Sequence, residues 1–84
     1  MKTDCITFRS VTPAQRGQRA LRQAGIDTVL QRTPRFMEER GCGYCLRLRP
    51  ERKEESVALL REAQVPFRKV YIQKEDGKTE ELAL

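Results

Sequence analysis

Residues 20–26 read Ala20-Leu21-Arg22-Gln23-Ala24-Gly25-Ile26, and residues 59–65 read Leu59-Leu60-Arg61-Glu62-Ala63-Gln64-Val65. The two stretches share their apolar and charged positions, and each lies at the end of a helical pattern that runs into a strand-like one. The chain therefore contains a β-α-β unit twice. Two such units with right-handed crossovers favour one antiparallel sheet that carries both helices on the same face.

The segments outside these repeats complete the pattern. The first helix has Thr12 as a suitable N-cap, Pro13 at its first position and Gly25 as its C-terminal cap. The second helix opens at Pro50 and stops at Val65-Pro66. Strands are predicted over residues 4–9, 26–32, 44–49 and 67–73, with a single helical turn over residues 35–40. We predict an α+β fold: a ferredoxin-like β-α-β-β-α-β two-layer sandwich, with a four-stranded antiparallel sheet and two helices on one face.

The length and composition limit the kind of site that the chain can build. With 84 residues, 38% of them hydrophobic and 35% charged, it fits one globular domain, placed at residues 1–73, followed by a charged tail or small hairpin over residues 74–84. A core this small leaves little room for an internal ligand cavity, so we expect the site on a loop or a surface groove. No secretory leader and no apolar run of membrane-spanning length are visible, which predicts a cytoplasmic location and no membrane partner.

The net charge of +5 is concentrated in the first 49 residues, mostly as arginine. Such a field attracts anions, an acidic protein partner or nucleic acid, or it is only a solvated surface. RNA-binding sheets of this topology stack bases on aromatic residues of their central strands. Only Phe8 in the first strand and Tyr44 at the edge of the third are available for this, so the sequence disfavours RNA.

Three cysteines and no histidine limit the chemistry. Cys42 and Cys45 are two residues apart, a spacing that allows a shared metal ion or a local disulfide. Zinc normally takes four ligands, and only Cys5 remains to help. Redox pairs of this spacing sit at a helix start, whereas the residues after Cys45 read as a strand. A metal ion or disulfide at Cys42 and Cys45 is therefore the weaker interpretation, and we predict no metal and no cofactor.

Cys42 by itself gives a third interpretation, in which it is a nucleophilic thiol. It lies between Gly41 and Gly43, which leave it accessible, and Arg35 and Arg40 are near in sequence. Positive charge lowers a thiol pKa, and a thiolate can carry a sulfur or selenium atom as a persulfide or its selenium analogue. The alternative is that Cys42 is a small residue in a tight turn. Cys5 and Cys45 are interpreted as small hydrophobic residues of the core.

Several of these motifs also occur together in one family. The sequence resembles the selenium/sulfur carrier protein-like family of small bacterial proteins over about residues 4–73. The resemblance implies a single ferredoxin-like domain and a role in sulfur or selenium handling. The resemblance implies that the family's cysteine corresponds to Cys42, its adjoining glycine to Gly43, and its Thr-Pro-Arg segment to residues 33–35. The segments that carry the resemblance are Ile6-Thr7-Phe8, residues 20–26, Arg32-Thr33-Pro34-Arg35, Gly41-Cys42-Gly43, Leu46-Arg47-Leu48 and Leu59-Leu60-Arg61-Glu62-Ala63.

Two functions of different classes follow. In the first, Cys42 accepts sulfur or selenium from a donor protein and passes it on, with Thr33, Pro34, Arg35, Arg40, Gly41 and Gly43 as the surrounding binding residues. In the second, the chain is a non-catalytic binding module for a protein, for RNA or for a second copy of itself, and its cysteines are structural. Independent catalysis is not expected, because the chain contains no histidine base and its paired carboxylates are adjacent residues, which do not share a helix face.

Overall fold

The computed structural model of this protein describes residues 4–33, 43–73 and 79–82. These residues form five strands, two α-helices and a short 3-10 helix over Pro50–Arg52. The strands are β1 (Asp4–Phe8), β2 (Val29–Arg32), β3 (Tyr44–Leu48), β4 (Val70–Gln73) and β5 (Thr79–Leu82). The helices are α1 (Val11–Gln23) and α2 (Lys53–Glu62). The helical turn predicted over residues 35–40 lies outside the described residues.

The strands form one antiparallel sheet in the order β2-β3-β1-β4-β5. The predicted α+β class, with its two helices, is confirmed. The sheet departs from the prediction in one respect, because β5 adds a fifth strand by pairing antiparallel with β4. The C-terminal region therefore returns to the sheet and does not trail away from it. Neither described helix is long and apolar enough to cross a membrane.

One face of the sheet and the two helices enclose the hydrophobic core. Successive residues of a strand point to opposite faces, so Ile6 and Phe8 of β1 lie with Leu46 and Leu48 of β3 on the helix-facing side. The core is completed by Ala14, Leu21, Ile26, Val57, Leu60, Val65 and Val70. A Cβ added at Gly17 would lie 3.1 Å from Leu60 Cδ2 and 3.2 Å from Phe8 Cζ. The small residue therefore lets α1 pack closely against both neighbours.

Both helices end in the same hydrogen-bonded turn. The Ile26 N–H donates to the Leu21 carbonyl and the Val65 N–H donates to the Leu60 carbonyl, each at 2.9 Å. These are the six-to-one bonds of a Schellman motif, which requires a left-handed residue just before the final donor. Gly25 takes that conformation with φ +81°, and Gln64 takes it with φ +57°. The repeated stretch in the sequence is thus a repeated helix-ending turn.

The element boundaries differ from the prediction at several ends. The N-cap of α1 is Ser10 and not Thr12, and Pro50 opens a 3-10 turn ahead of α2. The second strand begins at Val29, because Ile26 turns into the core before the strand starts. The fourth begins at Val70, because two consecutive residues before it, Arg68 and Lys69, both bond to Thr7. This local bulge interrupts regular pairing.

Candidate functional site

The sheet face opposite the helices carries both described cysteines. The residues of β1 and β3 that alternate with the core residues are Cys5, Thr7, Cys45 and Arg47, and they share this face. Among the described elements, neither α1 nor α2 packs on it, and we call it the helix-free face. Gln31 of β2 lies opposite Cys45, and Tyr71 of β4 lies opposite Cys5. The two thiols are therefore flanked by polar or amphipathic residues and do not belong to the cluster that the helices cover.

Cys5 and Cys45 are diagonal neighbours on adjacent central strands. Cys5 lies opposite Arg47 and Cys45 lies opposite Thr7, so each cysteine is one pair away from the other on the same face. Both are free thiols, Cys5 with 6% of its surface exposed and Cys45 with none. Two sulfur atoms thus meet in a buried position that the helices do not account for.

The pKa values of the two thiols are shifted in opposite directions. The Cys5 thiol donates a hydrogen bond to the Cys45 sulfur, and this bond is the main cause that lowers the pKa of Cys45 from 9.0 to about 7. Burial opposes the change, while the Gln31 side chain and the positive charge of Arg47 support it. The same hydrogen bond is the main cause that raises the pKa of Cys5, with burial adding to the effect. Cys5 therefore keeps its proton at neutral pH, and Cys45 is the sulfur that ionises, in a substantial fraction of molecules.

Thr33 supplies a further polar group beside Cys45. Its side chain is 7% exposed, and within the described part of the chain its hydroxyl oxygen makes no hydrogen bond of normal geometry. The hydroxyl nevertheless favours the thiolate of Cys45, as the smallest of the main causes of the lowered pKa. A buried hydroxyl without a regular hydrogen-bond partner lowers the stability of the fold. An anionic sulfur is a stronger acceptor than a neutral thiol, so the Thr33 hydroxyl favours the charged form of its neighbour.

Thr33 and Gly43 lie on either side of the segment that contains Cys42, and they are hydrogen-bonded to each other. The Thr33 N–H donates to the Gly43 carbonyl at 2.9 Å, which extends the pairing of β2 and β3 by one step. Gly43 is buried and precedes β3 directly. Gly43 is the residue that follows Cys42 in the sequence.

A comparison with known proteins bears on this arrangement. The model of the family described as "Putative Se/S carrier protein-like" matches residues 4–72. The chain belongs to this family. No curated protein and no solved structure matches the sequence. The match covers both strands that bear the described thiols and the whole segment between Thr33 and Gly43.

The structure places only part of the site that the sequence predicts for this Se/S carrier-like protein. Thr33 and Gly43 are brought together at the end of β2 and β3. Among the described residues, no three cysteine, aspartate or glutamate side chains are grouped so as to hold a metal ion. The metal or disulfide alternative at Cys42 and Cys45 involves Cys42, which lies outside the described residues. The remaining predicted site residues lie outside the described residues: Pro34, Arg35, Arg40, Gly41 and Cys42.

Sequence reasoning assigned Cys5 and Cys45 to the core and missed their contact. Both are buried as predicted, but on the face that the helices leave free. The alternation of Cys5 and Thr7 with Ile6 and Phe8 already separates the two faces of β1. Placing Cys45 beside Cys5 also requires the register of β1 against β3, and nothing local in the sequence fixes that register.

The aromatic residues that could have supported RNA binding are not on the helix-free face. Phe8 is fully buried under the helices, and Tyr44 packs against the same core. Neither ring is placed to stack on a base. Within the described residues, Tyr71 is the aromatic residue of the central strands that shares the helix-free face.

Proposed function

We propose that this Se/S carrier-like protein holds one sulfur or selenium atom on Cys42, as a persulfide or its selenium analogue. Membership of the family over residues 4–72 is the observation that carries the proposal. The bond between Thr33 and Gly43 supports it, because it anchors the residue after Cys42 to the sheet. An acceptor thiol held next to a rigid strand can be presented to a partner protein in a defined place.

The transfer itself is a thiol exchange in which the partner's persulfide is the sulfur source. The Cys42 thiolate attacks the outer sulfur of the donor's S–SH group, and the donor S–S bond breaks. The donor leaves as a thiolate, and Cys42 becomes a persulfide that carries the transferred sulfur. Handing the atom to an acceptor repeats the same exchange in the other direction. The chain contains no histidine that could act as a base, so the thiol must be activated by nearby positive charge. Arg35 and Arg40 are proposed to supply it.

The partners are proposed to be proteins in the cytoplasm, where thiols are kept reduced. The basic character of the chain favours acidic surfaces on those partners. A charge-guided encounter of this kind slows as salt is added, because exposed charges further apart than about 8–10 Å are screened. The salt dependence of the transfer rate therefore reports on the docking step separately from the exchange of sulfur.

The direct test is to load the protein with a cysteine desulfurase and cysteine and to map the added sulfur by peptide mass spectrometry. Cleavage after Arg40 and Arg47 leaves Cys42 and Cys45 on one peptide, so fragment ions assign the added sulfur to one of the two cysteines. We expect one extra sulfur on Cys42. Cys42→Ser should abolish this loading, while Cys5→Ser serves as the matched control and should leave it unchanged. Equal loading of the Cys42→Ser protein, or no added sulfur on wild-type Cys42, would contradict the proposal.

The binding-module alternative keeps a separate test. If the protein binds RNA through phosphate contacts, a gel shift with single-stranded RNA should weaken steeply with salt. The buried positions of Phe8 and Tyr44 argue against base stacking there. Self-association would be seen as a concentration-dependent mass in sedimentation, and β2 and β5 are the edge strands through which it could occur.

A further inference from the structure

We infer that Cys5 and Cys45 form a second, internal reactive site, in which Cys45 takes a sulfur atom from a small inorganic polysulfide and Cys5 releases it as sulfide by closing a disulfide. The inference goes beyond the carrier role of Cys42. The choice of sulfur as the incoming element rests on the proposed function, whereas the pairing of the two thiols does not.

The first support is the placement of the two thiols. They lie on one face of adjacent central strands, in consecutive residue pairs of that face, and both are free thiols. A purely structural pair of buried cysteines would need only apolar neighbours. These two have Arg47, Gln31, Thr7 and Tyr71 opposite them across the strands.

The second support is the set of groups around Cys45 that favour a negative sulfur. The Cys5 thiol and the Gln31 side chain favour the Cys45 thiolate as hydrogen-bond donors, the Thr33 hydroxyl favours it more weakly, and Arg47 adds positive charge. Thr33 is more than nine-tenths buried, and its hydroxyl has no regular partner elsewhere in the described part of the chain. The polar groups thus converge on one sulfur atom, which is the arrangement that activates a nucleophilic cysteine.

The burial of the pair restricts the reagent. Cys45 has no exposed surface and Cys5 has 6%, so the thiol of another protein cannot reach either sulfur in this conformation. A two-atom sulfur compound is small enough to enter during a local opening of the sheet face. Hydrogen disulfide and its anion, the simplest inorganic polysulfides, meet this requirement.

The reaction balances without any further oxidant. The Cys45 thiolate attacks one sulfur of hydrogen disulfide; the S–S bond of the reagent breaks, HS⁻ leaves, and Cys45 becomes a persulfide. The sulfur of Cys5 then bonds to the inner sulfur of Cys45, the bond to the outer sulfur breaks, and the proton of Cys5 goes to the departing sulfide, which leaves as H₂S. Two thiols are oxidised to a disulfide, and both sulfur atoms of the reagent are reduced to sulfide, one in each step.

The strand geometry also predicts how long the disulfide survives. Diagonal partners in a sheet have Cα atoms about 7–8 Å apart, whereas most disulfides span about 4.4–6.8 Å. The two strands must therefore shift to close the bond. A disulfide closed against such a constraint is more easily reduced than a relaxed one, so low-molecular-weight thiols should reopen it readily.

The experiment uses full-length Cys42→Ser protein, which leaves Cys5 and Cys45 as the two thiols, with sodium disulfide as the reagent. We expect peptide mapping to show a Cys5–Cys45 disulfide, which a mild thiol reductant removes. Adding Cys5→Ser should trap one extra sulfur on Cys45, because no resolving thiol remains. Adding Cys45→Ser instead should leave Cys5 unmodified.

Two outcomes overturn the inference. One is that both thiols of the Cys42→Ser protein stay free under the reagent. The other is that the disulfide forms, with hydrogen peroxide as effective as sodium disulfide, while the Cys5→Ser protein never carries sulfur on Cys45. Cys5→Ala provides a second resolving-thiol variant if the serine variant does not fold, as judged by circular dichroism. In the wild-type protein, fragment ions of the shared peptide assign added sulfur to Cys42 or to Cys45, so a failure of the carrier proposal is distinguishable from a failure at this pair.

Discussion

Cys45 depends on Cys5 more than on any cationic side chain for its acidity. The hydrogen bond from the Cys5 thiol is the largest cause of the lowered pKa, and the charge of Arg47 comes after it. Replacing Cys5 by alanine in the Cys42→Ser protein should therefore move the pKa of Cys45 upward from about 7 towards its ordinary 9.0. The thiolate ultraviolet absorbance, followed against pH, measures this directly.

Cys5→Ser is the matched control for that titration, because a serine hydroxyl still donates a hydrogen bond. Its Cys45 should titrate near the wild-type value. The direction of the pKa change also predicts the rate of alkylation. At neutral pH the alanine variant holds less Cys45 thiolate, so iodoacetamide should modify Cys45 more slowly than in the serine variant. Identical titrations of the alanine and serine variants would mean that burial and charge set the acidity alone.

Thr7 provides a second test at the scale of one residue. Its hydroxyl accepts a hydrogen bond from the Lys69 N–H at 3.0 Å and donates to the Lys69 carbonyl at 3.2 Å. Thr7→Val keeps the shape but leaves that N–H without this acceptor, which should lower the free energy of unfolding by about 1–3 kcal/mol. Urea unfolding measures the loss.

Thr28 offers the control for this substitution. Its hydroxyl oxygen is buried and, within the described residues, has no hydrogen-bond partner. Thr28→Val removes a polar atom that gains nothing from the fold, so it should be neutral or slightly stabilising. If both valine variants lost the same stability, the bonds to Lys69 would not be the cause.

The residue scale also shows what sequence could and could not predict about the site. Alternation separates Cys5 from Ile6 without any structure, and the glycines around Cys42 are visible at once. The contact of Cys5 with Cys45 depends on which residue of β3 faces which residue of β1. A shift of two residues that placed Cys5 opposite Arg49 would keep every side chain on its face and still separate the two sulfur atoms.

At the scale of elements, the two helix-ending turns allow a direct comparison of glycine with another residue. Gln64 holds a left-handed conformation that costs a residue with a Cβ about 1–2 kcal/mol. Glycine relieves this cost, but it also raises the conformational entropy of the unfolded chain, which offsets part of the gain. Gln64→Gly should therefore stabilise the protein by about 0.5–1 kcal/mol. The shift in the urea midpoint measures it.

Gly25 supplies the reciprocal experiment. No atom lies within 4 Å of a Cβ added there, so Gly25→Ala tests the backbone conformation without a packing clash. A loss of about 1 kcal/mol is expected. A Gln64→Gly protein that is less stable than wild type would show that the glutamine side chain contributes more than its backbone conformation costs.

The elements themselves were predictable to the extent that they depend on local pattern. Apolar spacing located both helices and the four principal strands, and Leu46 and Leu48 alternating with Arg47 marked β3. The start of β4 was not predictable, because it depends on two residues bonding to the one residue Thr7. The pairing of β5 with β4 was left open for a similar reason, since it depends on a contact between strands and its composition is charged.

At the scale of the whole molecule, an ion pair joins the start of the interior strand β1 to the helical layer. Asp4 of β1 lies on the helix-facing side with 2% of its side chain exposed, and its Oδ2 is 3.5 Å from Nζ of Lys53, the first residue of α2. The lysine side chain is 18% exposed. Breaking a buried pair by removing one partner typically costs about 3–5 kcal/mol, because the other charge stays buried without it.

Lys53→Met should therefore destabilise the protein strongly, towards the lower end of that range because the lysine is partly exposed. A small domain has a total stability of about 5–15 kcal/mol, so the effect should be visible as a large fall in the urea midpoint. Asp4→Asn combined with Lys53→Met should recover much of the loss, since the buried charge is removed together with its ion-pair partner. Glu55→Gln, which weakens the exposed pair with Arg52, is the surface control and should change stability by less than about 1 kcal/mol. A double variant no more stable than Lys53→Met would mean that α2 is held against β1 by the packing of the lysine chain and not by its charge.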